Sequence, residues 1–162
     1  MPRGPRRRVP VPGFAVHFHL TMRLAIEEGM TEADAEAVGL ASVLVDDLWP
    51  GARKPLRHFN PTASLLFAPL EMRRAVAFAR VGDLEQALTH LGRSLHSRQD
   101  AIGHGRLGLN HLLYSAGLLG RDPDVWEDMP VRVKVEIERA TRRDLRGFLA
   151  RTGSREQESR SG

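Results

Sequence analysis

Between Leu95 and Leu112 the chain reads LHSRQDAIGHGRLGLNHL, which gathers His96, Asp100, His104 and His111 into one short stretch. On a helix advancing about 100° per residue, His96, Asp100 and His104 stand at roughly 0°, 40° and 80° and project from one side over about two turns. Spacing i, i+4 is how one helix gives two ligands to one ion, so this is a chelating stripe. Gly103 and Gly105 loosen or end the helix here, which lets His104 turn towards a second ion. The competing reading is an amphipathic helix whose histidines are satisfied without metal.

The absence of cysteine removes disulfides, thiolate zinc sites and thiol catalysis together, so any metal must be held by imidazole and carboxylate. With 162 residues the chain is long enough for a single core. Its 41% apolar and 27% charged residues belong to an ordinary globule rather than to a disordered chain. No apolar run approaches the ~20 residues of a membrane span, and the opening residues lack the apolar stretch of a signal peptide. Arg3, Arg6, Arg7 and Arg8 account for the net charge of +4, so the rest of the chain is balanced. We therefore expect residues 1–13 to form a disordered basic tail, residues 14–151 a single all-α metal-binding domain, and residues 152–162 a second disordered tail.

Within that domain the periodic segments are helical and none has the pattern of a strand. Val16, Leu20, Leu24 and Ile26 make an apolar face that runs to Gly29, and His17 and His19 lie about 200° apart, so only one of them can face a shared site. Thr31 is an N-cap for a second helix whose buried stripe is Ala35, Val38, Ala41, Leu44 and Val45 and which ends in Asp46-Asp47. Trp49 to Pro61 is a proline-rich loop carrying His58. A third helix is expected from Pro69 to Val81, with Met72, Val76 and Ala79 inward. A fourth starts at Asp83 with Leu84, Ala87, Leu88, Leu91 and Leu95 inward and leads into the stripe, and His90, about 120° away from His96, is a surface or core histidine. The apolar segment LLYSAGLL stops at Gly120, the turn RDPDVWEDMP follows, and an arginine-rich amphipathic helix runs from Val131 to Leu149. The expected fold is a compact all-α bundle of five or six helices with a metal site between them.

Histidine with carboxylate suits zinc or another first-row ion, and a di-iron bundle is disfavoured because no Glu-x-x-His motif is present. A different class of function also fits part of the chain. AVAFARVGDLEQALTHLGRSL has the rhythm of one tetratricopeptide-like hairpin, a non-catalytic peptide-binding module, although such repeats need about three copies to bury their faces.

Taken in order, these segments resemble the zinc-dependent phospholipase C and single-strand nuclease superfamily, an all-α group of phosphodiesterases with three clustered zincs. The likeness runs from His19-Leu-Thr-Met-Arg-Leu-Ala through Val45-Asp46-Asp47 and His58-Phe59 to LHSRQDAIGHG, over more than half the chain. It implies two or three Zn2+ ions, with Asp46, His58, His96 and Asp100 around one and Asp100 bridging to another bound by His19. His104 and His111 would begin the remaining site. The family's carboxylate four residues after the second histidine is replaced by Ser115, so that either Asp122 or Asp124 is the substitute ligand or that site is absent. Secreted members also use the amine of an N-terminal tryptophan, whereas thirteen residues precede the domain here and none is tryptophan. The implied activity is hydrolysis of a phosphodiester, phospholipid or nucleic acid, by metal-bound hydroxide, with Asp46 or Asp47 orienting or deprotonating it. A nuclease needs stacking aromatics, for which Trp49, Trp126, Tyr114 and six phenylalanines are the supply.

Overall fold

The computed structural model describes residues 15–45, 66–104, 113, 114, 116–120 and 125–153. These residues contain a π-helical segment, Ala15–Leu20, and five α-helices: α1 Thr21–Glu27, α2 Glu32–Val43, α3 Ala68–Arg80, α4 Leu84–Gly103 and α5 Val131–Thr152. There is no strand among the described residues, and no helix among them is long and apolar enough to cross a membrane. The expected all-α bundle is what forms. Of the two proposed tails only Thr152, the last residue of α5, and Gly153 are among the described residues.

Local chemistry sets the helix ends. Thr31 accepts the Asp34 amide through its hydroxyl at 3.2 Å and caps α2, and Asp83 accepts the Gln86 amide at 3.1 Å and caps α4. Pro69 sits in the first turn of α3, where its missing N–H removes no helical bond. Helix α3 is stopped by Gly82, the residue after its C-cap Val81, whose φ of 85° is open to glycine at little cost. The Gly82 amide reaches Ala79 O and the Asp83 amide reaches Phe78 O, closing a Schellman motif that turns the chain directly into α4. Gly29 closes α1 by the same pattern, with Met30 N bonded to Ala25 O at 3.0 Å.

Helix α4 is the axis of the bundle and packs against α2, α3, α5 and the π-helical segment. The core around it consists of Leu24, Ala25, Ala35, Val38, Ala75, Val76, Ala87, Leu88, Leu91, Leu95, Ile137, Leu145 and Phe148. Leu24, Leu91, Leu95, Ile137 and Leu145 are wholly buried, and each such side chain contributes about 1.5–3 kcal/mol. At Gly92 α4 lies so near α2 that a β-carbon would stand 2.5 Å from Val38 O and 2.7 Å from the Ala41 β-carbon. Only glycine lets α4 lie that deep against α2.

Three residues expected inward face out instead. Ile26, Leu44 and Leu84 are about half exposed: Ile26 and Leu44 fall off the stripe formed by the better-buried residues of α1 and α2, whereas Leu84 shares the side of Leu88, Leu91 and Leu95 but is the first residue of α4.

Ion pairs fasten the two ends of the described chain together. Glu28 accepts from Arg142 at 2.9 Å and from Arg146 at 2.5 Å, Arg142 also meets Glu27, and Arg23 reaches Glu138 at 3.0 Å. Hydrogen bonds from Arg146 and Arg142 hold the Glu28 carboxyl below the usual carboxylate range, and the bond from Arg142 does the same for Glu27. This clamp ties α1, and with it the π-helical segment, to α5.

Candidate metal centre

The buried side of α4 changes character along its length. Up to Leu95 it presents Ala87, Leu88, Leu91 and Leu95, and from there on His96, Gln99, Asp100, Gly103 and, at the C-cap, His104. Polar side chains this deep need partners, and these find one another. His96 Nε2 lies 3.1 Å from Asp100 Oδ2, and His104 Nε2 lies 3.3 Å from Asp100 Oδ1. Both contacts are i, i+4 on one helix, as the spacing predicts. Helix geometry persists through Gly103, and His104 keeps αR dihedrals of −85° and −8°, so it stays on the same carboxylate rather than turning away.

A third imidazole comes from the other end of the chain. His17, on the π-helical segment, brings Nε2 to 3.1 Å from Asp100 Oδ1, and its ring sits 4.1 Å from the His96 ring at a tilt of 35°. His17 Nδ1 donates to Gln99 Oε1 at 2.9 Å. Gln99 Nε2 in turn donates to the Thr21 hydroxyl at 2.8 Å and the Thr141 hydroxyl at 3.2 Å. One helix-spanning amide thus joins the π-helical segment, α1, α4 and α5.

His17, His96 and Asp100 each offer a ligand atom within 4.8 Å of the others, and with exposures of 6%, 1% and 2% the group is withdrawn from bulk water. Imidazole nitrogens and a carboxylate oxygen are the donor set of zinc and of related first-row ions, so the residues present fit such an ion. This buried group could hold a metal ion.

The expected ligand from the first helix was His19. The structure places His19 on the exposed face, edge-on to Phe18, and brings His17 to the cluster instead. His17 shares its side of the segment with Leu20 and Leu24, both buried, and that shared apolar face is the signal by which it could have been chosen. Gln99 is the second residue that ligand spacing alone did not single out. Asp46, Asp47, His58 and His111, and with them Ser115, Asp122 and Asp124, lie outside the described residues.

His90 is a core histidine rather than a ligand of this group. Its Nδ1 lies 2.5 Å from Glu71 Oε2, its ring stacks on Phe78 at 5.2 Å, and Arg74 contacts the other Glu71 oxygen at 3.2 Å.

Fold and site together describe an all-α bundle with a buried histidine and aspartate cluster on its central helix. Comparison with protein-family models, with curated proteins and with solved structures finds no match to the chain.

Proposed function

We propose that this chain is a zinc-dependent hydrolase of phosphodiesters, of the phospholipase C-like or nuclease-like kind. The observation that carries the reading is the convergence of three imidazole Nε2 atoms on one buried carboxylate, that of Asp100. The order of the remaining histidines and aspartates along the chain supports it. His17, His96 and Asp100 would hold the ion with His104 beside them, and Asp46 and His58 are the further ligands that the family resemblance implies. A bound divalent ion neutralises phosphodiester charge and lowers the pKa of a coordinated water towards ~7. Asp46 or Asp47 is assigned to orient the attacking water or take its proton.

A second reading, a metal centre that only braces the bundle, draws on the burial of all four side chains. Elemental analysis of protein purified without a histidine tag or chelator comes first. Hydrolysis of bis(p-nitrophenyl) phosphate, phosphatidylcholine vesicles and single-stranded DNA follows. Bound zinc with turnover that Asp100→Asn abolishes is the expected result. Bound zinc without hydrolysis of any of the three favours the brace. No zinc uptake overturns both and leaves a helical interaction module, of which the α3 and α4 hairpin is one repeat-like unit.

A further inference from the structure

We propose that Gln99 is a positioning residue: its carbonyl holds His17 as the Nδ1–H tautomer and so presents Nε2, the atom beside Asp100, as the ligand atom. The inference rests on the metal reading of the cluster and not on the identity of the substrate.

The argument is one of donor and acceptor counting. Gln99 Oε1 accepts and cannot donate, so the contact of 2.9 Å to His17 Nδ1 requires a proton on Nδ1. The amide is kept from turning over by its other end, because Nε2 gives its two hydrogens to two hydroxyls, Thr21 Oγ1 and Thr141 Oγ1. Both threonines are wholly buried and stand on different helices, so neither hydroxyl is replaced by bulk water. A neutral imidazole with its proton on Nδ1 has its lone pair on Nε2, and that atom lies 3.1 Å from Asp100 Oδ1. Metal-binding histidines characteristically donate their second N–H to such a partner, which sets the ring and its tautomer before the ion arrives.

Long-range 1H–15N correlation on the metal-free protein reads the tautomer directly, and zinc titration against a competing chelator reads the consequence. The expected result is a protonated Nδ1 on His17, zinc affinity about 10–100-fold weaker in Gln99→Met, and affinity close to wild type in Gln99→Glu, whose carboxylate still accepts from Nδ1–H. Thr141→Val, which removes one anchor of the amide, gives a smaller loss in the same direction and serves if Gln99→Met does not fold. A His17 whose Nδ1 carries no proton in the metal-free protein overturns the proposal, as does a folded Gln99→Met that binds zinc like wild type. Wild-type protein that shows the Nδ1–H tautomer yet takes up no zinc overturns the metal reading and leaves the Gln99 and His17 link standing.

Discussion

His17 Nε2 lies 3.1 Å from Asp100 Oδ1, so the one imidazole of the cluster that α4 does not supply comes from the amino-terminal segment of the bundle. His19, two residues on, points to the exposed face. His17→Ala is therefore expected to weaken zinc binding by more than the ~10–100-fold of an outer-shell change, and His19→Ala to leave it unchanged. Isothermal titration of the two variants checks this, and equal losses would refute the assignment.

Asp100 is the shared partner of all three imidazoles. An ion that binds the native state alone stabilises it by about 2.7 kcal/mol at a hundredfold excess over its dissociation constant. Thermal unfolding should thus move upward with zinc and back with a chelator, and Asp100→Asn should abolish the shift. A zinc shift of wild-type size in Asp100→Asn would show that the ion binds elsewhere.

At Gly92 a β-carbon would come within 2.5 Å of the Val38 carbonyl and 2.9 Å of the Ser42 amide, both backbone atoms that cannot swing aside. Gly92→Ala must push α4 away from α2, at a cost of about 1–3 kcal/mol or more by the usual penalty for overpacking. Urea unfolding measures the loss. Because α4 carries the ligands, weaker zinc binding should accompany it.

The Glu28 clamp predicts a pH dependence. Its carboxyl titrates below its ordinary value in the folded chain because Arg146 and Arg142 bond its charged form. A lowered folded pKa gives stability that is present above the unfolded value of about 4.5 and is lost as the pH falls through the lower folded value. The stability gap between wild type and Glu28→Gln should therefore close as the pH is taken from 6 towards about 3, and high salt should narrow it throughout. A gap that widens in acid would contradict the clamp.

The Glu71 and His90 pair offers a control. Removing the carboxylate in Glu71→Ala leaves a buried imidazole without its partner, at a cost of about 1–3 kcal/mol. Zinc affinity should not change, since none of the contacts among His17, His96, Asp100 and His104 involves this pair.

Much of this molecule was legible along the chain. Helix periodicity, the Thr31 and Asp83 caps and the glycines at 29 and 82 act over a turn or two, and those local rules are why α2, α3, α4 and α5 begin, and α3, α4 and α5 end, close to where the pattern puts them. The stripe of His96, Asp100 and His104 was legible for the same reason, since i, i+4 geometry needs nothing outside its own helix. Which of His17 and His19 joins that stripe was decided only when the π-helical segment packed on α2 and α4, because two side chains on opposite faces are equivalent until a neighbour buries one. The role of Gln99 was decided there too. Its amide finds His17, Thr21 and Thr141 on separate segments, and no spacing within α4 encodes partners that only tertiary packing brings within hydrogen-bonding reach.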